Sequence, residues 1–264
     1  MLFPLRNAIA RRALFFEPFF RRLHRFAQLS GESIPVGVLG ERDLARYVSE
    51  TYAAAPDFYD PSSYQFDYET EILPLLEEHR TGRQLLDLFC GQGREAAIFA
   101  RAGYSVTGVD TQRHSIEHAR KFSAAAELEI EFVEADLNEW EPESKDWDVV
   151  YTSLWMLSTV PGRDARRAWL KRFASWGRLL VLSVTPRNDD HAAKIRFRIA
   201  KIWRWLSLNR RTNEFGDRVT KGLFWHDFAS GEAAEEIRDA GLNIVASLEI
   251  NQSAPCHFYL VKAS

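Results

Sequence analysis

The sequence predicts an α/β chain: a doubly wound, mostly parallel sheet that closes in a C-terminal antiparallel strand pair, with an N-terminal helical extension before it. Three observations predict it. Between Leu85 and Val184, short apolar runs alternate with amphipathic stretches, the pattern of right-handed crossovers and helices on both faces of a parallel sheet. The first run feeds a glycine turn, Cys90-Gly-Gln-Gly93, that opens a helix. The last two runs are joined only by NQSAP, a link that suits an antiparallel pair and not a crossover.

Each element has its own signal. In residues 1–30, Phe15, Phe16, Phe19, Phe20, Leu23 and Phe26 recur at helical spacing among Arg21, Arg22 and Arg25. Pro18 marks a first turn or a kink. Residues 31–40, bounded by Gly31 and Gly40, read as a loop, and a helix follows over 43–53. The segment PDFYDPSSYQFD is irregular, and Tyr68 to His79 reads as a helix. Strands are expected at 85–89, 104–109, 130–135, 148–152 and 178–184. Helices are expected at 95–102, 115–125, 164–176 and 231–240, two of them closed by Gly103 and Gly241. The terminal strands fall at 242–250 and 256–261.

Composition narrows the function classes. The chain has 264 residues, 46% of them hydrophobic, and a formal net charge of −3. That charge argues against whole-surface attraction to nucleic acid. The two cysteines, Cys90 and Cys256, read as thiols of a reducing compartment, which points to the cytoplasm. No apolar run is long enough to span a membrane. The start is Arg-rich and lacks a signal-peptide core; an organelle transit peptide stays open.

The turn DLFCGQGREA carries a G-x-G-x-x-A fingerprint. Glycine permits the turn and lets a ligand approach the backbone, and amides at a helix start favour anionic or polar groups. Asp110, at the end of the second strand, can accept from ribose hydroxyls. To this point a dinucleotide and any adenosine ligand fit equally. Asp87 separates them. An acid inside a buried strand needs a partner, and the partner it suits is an ammonium or another donor, not a pyrophosphate. Asp136, at the end of the third strand, can accept from an adenine amino group, with Leu137 against the ring.

With DLFCGQG (87–93), GVD (108–110), ADL (135–137) and DVVYTSL (148–154), the chain resembles the class I S-adenosylmethionine-dependent methyltransferases, whose domain is Rossmann-like. The resemblance implies that the turn residues Phe89, Cys90, Gly91, Gln92 and Gly93 lie under the methionine part of S-adenosyl-L-methionine. It places Asp110 and Thr111 at the ribose, Asp136 and Leu137 at the adenine, and Thr152 and Ser153 near the carboxylate and the reacting methyl. It makes Tyr59 of DFYD a lid candidate. It divides the chain into an extension or lid, 1–58, and a methyltransferase domain, 59–264, with 191–228 as an insertion over the acceptor site. Phe89 departs from the pattern, since it replaces the usual first glycine of the turn. The run TSLW replaces an Asn/Asp-Pro-Pro-aromatic motif, which removes the main pointer to nucleic-acid bases. No catechol-type metal constellation is found, so no metal is expected.

An acceptor hydroxyl is helped by a general base. His226, in GLFWHDF, is the catalytic candidate, with His191 behind it. Trp155 and Met156 are candidates for an apolar acceptor pocket. In HAAKIRFRIAKIWRWLSLNRR, Ile195, Ile199, Ile202 and Leu206 share a helical face among cations, and no acid interrupts. This stretch reads as a cover helix, a site for an anionic or lipid-linked acceptor, or, with residues 1–30, a peripheral membrane contact. The expected function is methyl transfer to a small-molecule or lipid-linked acceptor. The alternatives are a non-catalytic cofactor-binding partner protein and an NAD(P)-dependent oxidoreductase.

Overall fold

The computed structural model describes residues 23–54, 68–188, 191–209, 214–220, 223–252 and 254–263. Tyr59 and the phenylalanines at 15–20 lie outside them.

Five parallel strands follow the expected alternation: β1 (Gln84–Leu88), β2 (Ser105–Asp110), β3 (Ile130–Glu134), β4 (Val149–Thr152) and β5 (Leu180–Val184). Crossover helices α4 (Arg94–Arg101), α5 (Arg113–Ala125) and α6 (Arg163–Ala174) connect them, with no helix between β3 and β4. Helix α8 (Glu232–Asp239) leads to β8 (Leu242–Ile250) and β9 (Cys256–Ala263). The sheet order is β3-β2-β1-β4-β5-β9-β8. Strand β9 lies antiparallel to both β5 and β8, as the short link requires. Strand order reverses at β1, with β2 on one side and β4 on the other, so the ligand crevice of this topology opens at the carboxyl ends of β1 and β4.

Period-2 alternation splits the strand residues between two cores. Leu85 and Tyr151 face one layer with Ile72, Leu76 and Phe99, while Leu86, Leu88 and Val150 face the other with Leu170, Phe173 and Trp176. Asp87 shares the face of Leu85, inside the first core, and its neighbours across the sheet are Gly108 on β2 and Tyr151 on β4. Cys90 and Cys256 are both free and buried.

The extension differs from expectation. Residues 23–38 are helical (α1), so the loop expected at 31–40 is mostly helix. Helix α2 (Glu41–Ala54) follows at once, and α3 (Tyr68–His79) has the expected bounds. The reason is a close contact. A Cβ on Gly37 would meet Ala200 O at 2.5 Å and Trp203 Cβ at 2.8 Å, so this glycine serves the approach of helix α7 (His191–Leu206), not a turn. The sequence also hid a hairpin, β6 (Asp217–Thr220) with β7 (Leu223–His226). It packs Val219 and Phe224 into a third cluster with Val36, Leu44 and Ala200.

Candidate cofactor site

The glycine turn is built from positive backbone angles. Phe89, Gly91 and Gly93 have φ of 61°, 51° and 84°. Phe89 therefore holds the left-handed conformation of the glycine it replaces, which costs a side-chain-bearing residue roughly 1–2 kcal/mol. Its ring is held against Trp169, stacked at 6.1 Å, and against Phe173, edge-on at 6.0 Å. Asp110 clamps the turn: Oδ2 accepts from Gly91 N at 3.0 Å, and Oδ1 accepts from Gln112 N at 2.8 Å. A carboxylate oxygen has further acceptor capacity, so these bonds leave room for ligand hydroxyls.

Above the turn lies a cavity of about 580 Å³. Phe89, Cys90, Gly91, Gln92, Asp110, Thr111 and Ser153 line it, so the structure brings together seven of the sequence candidates. Ser153 Oγ donates to Phe89 O at 2.7 Å and ties the end of β4 to the turn. Met156 lines the cavity as well, while Trp155 packs edge-on to Tyr68 and Trp225.

Other candidates, Gly93 and the fully buried Asp87 among them, do not line the cavity. Thr152 is fully buried, with Oγ1 3.4 Å from Val181 O, and does not line the cavity. Leu137 turns into the second core, so the expected contact with an adenine ring is corrected. Asp136 does not line the cavity; its Oδ1 accepts from the backbone and side-chain amides of Asn138, each at 2.9 Å. Asn138 lines the cavity in its place.

His226 is corrected outright. It is fully buried, away from the cavity, with Nδ1 2.8 Å from Asp217 Oδ1 and Nε2 3.4 Å from Glu232 Oε1. Burial alone would lower its pKa. The bond to Asp217 and the nearby Glu232 carboxylate outweigh burial and raise it to about 9, so it is held as a cation. His191 is exposed at the start of α7. Glu214, His226, Glu232 and Glu236 present atoms within 4.8 Å of one another, a grouping that can hold a metal. The Arg166 guanidinium already sits among them, bonded to Glu236 at 2.6 and 2.8 Å and to Glu214 at 2.5 Å. The protein supplies its own cation there.

Beneath the turn the balance is reversed. Arg94, the first residue of α4, donates to Glu69 of α3 at 2.6 and 3.0 Å and to Glu95 at 3.1 Å. The Tyr151 hydroxyl donates to Glu69 at 3.3 Å. Asp87 is fully buried in the same surroundings, and neither of its carboxylate oxygens has a hydrogen-bond partner among the described residues. Burial, with the carboxylates of Glu95 and Glu69, pushes the Asp87 carboxyl well above its ordinary range. Burial and Glu95 push Glu69 up to about 7. Three acids share one guanidinium, so the group that suits this site is a donor or a cation.

Sequence reasoning missed Glu69 and the wall formed by α2, where Ala45, Val48 and Ser49 line the cavity. Glu69 had a signal. It stands three and seven residues before Ile72 and Leu76, on the buried stripe of α3.

Residues 85–177 match a family model described as a methyltransferase domain. A ubiquinone biosynthesis O-methyltransferase of Alkalilimnicola ehrlichii is 28% identical over 151 residues, 53% of this chain and 60% of that protein. One from Salmonella arizonae is 35% identical over 81 residues, 30% of this chain and 33% of that protein. The chain thus spans about 60% or less of the curated relatives it matches. Among solved structures, the 1,6-didemethyltoxoflavin-N1-methyltransferase of Burkholderia thailandensis superposes with a TM-score of 0.59 at 18% identity, over 86% of this chain and 92% of that one. The magnesium protoporphyrin IX methyltransferase of Synechocystis PCC 6803 superposes with 0.57 at 14% identity, over 86% and 98%. Residues 85–177 thus resemble a methyltransferase domain, and the chain shares the class I fold of these solved methyltransferases.

Proposed function

We propose that the chain transfers a methyl group from S-adenosyl-L-methionine to a small-molecule acceptor. One observation carries this reading: Asp87, fully buried and with no hydrogen-bond partner among the described residues, lies in the strand that feeds the glycine turn, and Asp110 lines the cavity above that turn. A pyrophosphate would bring negative charge to a site that already holds three carboxylates and one guanidinium. The α-ammonium of a methionine group brings the missing donor. Asp87 and the turn amides would hold the methionine part, and Asp110 the ribose. When bound, S-adenosyl-L-methionine supplies a methyl group already activated by its sulfonium.

The chain's residues align the acceptor and exclude water. Val48 and Ala45 of α2, with Leu154 and Met156 after β4, give the cavity an apolar side. That side supports a small acceptor with an apolar body, and a lipid-linked phenol is the finer reading. The likeness to ubiquinone biosynthesis O-methyltransferases supports it. On this reading residues 1–58 serve as extension or lid, and 191–228 cover the acceptor.

Calorimetric titration with S-adenosyl-L-methionine and with NAD(P) tests the cofactor. Binding of the nicotinamide nucleotide alone defeats the proposal. Asp110→Ala should weaken S-adenosyl-L-methionine binding by roughly 1–3 kcal/mol through lost hydrogen bonds. Labelled methyl transfer to phenols, amines and prenylated phenols tests the reaction, and no transfer to any of them would favour a non-catalytic binder.

A further inference from the structure

Helix α7 docks through its smallest side chains. Its buried residues are Ala192, Ala193 and Ala200. Gly37 lets the backbone of α1 approach Ala200 and Trp203, and Arg196 pairs with Glu32 of α1 at 3.4 Å. Ser207 Oγ and Asn209 Nδ2 donate to Gly37 O. Helices α1 and α7 therefore lie side by side.

This way of docking leaves the large apolar side chains outside. Trp205 is 75% exposed, Ile202 57%, Leu206 55% and Leu208 85%. On α1, Leu23 and Phe26 are exposed as well. The face shared by Ile195, Ile199, Ile202 and Leu206 is half-buried at its first two residues and exposed at its last two. Beside it, the exposed Lys194, Arg198 and Lys201 recur at i, i+4 and i+7, and the same ridge continues to Trp205. Helix α7 contains no acid, in a chain whose net charge is −3.

From this arrangement we infer that α7, with α1 beside it, is a docking surface for an anionic lipid membrane. Cations on one ridge suit anionic headgroups, tryptophan suits the interfacial zone, and the aliphatic residues between them suit the acyl boundary. No helix among the described residues is long and apolar enough to cross a membrane, so the contact is with its surface. Charge complementarity decides among occupants. A two-fold pairing of this face with a second copy would set cations against cations. A polynucleotide would use the cations and the tryptophan but leave Ile202, Leu206 and Leu208 in water.

The docking helices and the cavity wall share one buried cluster. Ala200 of α7, Val36 of α1 and Leu44 of α2 share one cluster, against which Val48 packs, and Val48 also lines the cavity. The docking surface rests on the proposed function only in what it would serve, the approach of the acceptor. Vesicle binding needs no turnover, so the two ideas fail separately.

The test is co-sedimentation of the full chain with phosphatidylglycerol/phosphatidylcholine vesicles and with phosphatidylcholine alone. The expected result is binding to the anionic vesicles that weakens with salt. Lys194→Glu with Lys201→Glu should reduce partitioning by about tenfold or more. Trp205→Ala with Leu208→Ala should reduce it too, with unchanged thermal melting because both side chains are exposed. Equal binding to neutral vesicles, or none at low salt, overturns the inference. So does tighter binding to an oligonucleotide, or a dimer that Trp205→Ala dissociates. Shielding of Trp205 from acrylamide in the vesicle-free protein also overturns it, because residues 1–22 would then be the occupant.

Discussion

The two buried charge clusters of this protein use the same residue types to opposite ends. Around Arg166, four carboxylates (Glu214, Asp217, Glu232 and Glu236) meet Arg166 and His226 directly, with Arg187 and Arg163 at 3.6 and 4.0 Å from Glu232 and Glu236. Under the glycine turn, Glu69, Asp87 and Glu95 share Arg94, and Asp87 has no hydrogen bond among the described residues. The first cluster is closed and fastens α6, α8 and the β6–β7 hairpin. The second is open, next to a cavity. Buried charge alone therefore does not mark a ligand site; an imbalance of buried charge beside a cavity does.

The largest test of this contrast is Arg166→Met. It leaves Glu214 and Glu236 buried without their guanidinium, and the unfolding free energy should fall by about 3–5 kcal/mol. Urea denaturation measures it, and a change well under 1 kcal/mol would deny that the cluster is a fastening. His226 gives the next effect. Its pKa is raised from 6.5 to about 9, so its contribution is complete below about 6.5 and is lost as pH rises through about 9. That contribution is on the order of 3 kcal/mol. Denaturation of wild type and His226→Gln across this range should show the difference between them shrinking toward alkaline pH. A constant difference would mean that His226 is not held as a cation.

These clusters also show how far the sequence reaches. The central strands, α3 and the glycine turn were legible because short-range period and turn chemistry determine them. Gly91 and Asp110 meet at one cavity because strand ends converge in this topology, while Asp87 lies buried in β1. The β6–β7 hairpin was not legible. Its strands have four residues each, and distant partners hold it: Val36, Leu44 and Ala200 pack with Val219 and Phe224 in the third cluster. His226 was misread for the same reason, since a histidine before a helix has no visible partners until the chain closes around it. Leu137 and Thr152 failed by direction. Their positions beside strand ends were right, but their side chains point into the protein.

The open cluster predicts a sign reversal. Asp87→Asn removes a buried carboxylate that lacks a hydrogen-bond partner among the described residues, so the cofactor-free protein should gain roughly 1–2 kcal/mol while S-adenosyl-L-methionine affinity falls by roughly 1.5–3 kcal/mol. Calorimetry and thermal melting read the two arms. A variant less stable without cofactor would mean that Asp87 has a structural partner, and the contrast with the Arg166 cluster would collapse.

Backbone strain extends the contrast at smaller scale. Beside the closed cluster, the positive φ next to Asp217 belongs to Gly216, at 135°, where no Cβ is strained. Beside the open cluster, Phe89 adopts φ of 61° with a full side chain, and its stacking on Trp169 and edge-on contact with Phe173 offset the cost. Phe89→Ala keeps the strain and loses the rings; Phe89→Gly loses the rings and releases the strain. The glycine variant should therefore be more stable than the alanine variant by about 1 kcal/mol, the reverse of their order at an unstrained position. If alanine is the more stable of the two, the turn stores no strain, and the contrast between the clusters is one of charge alone.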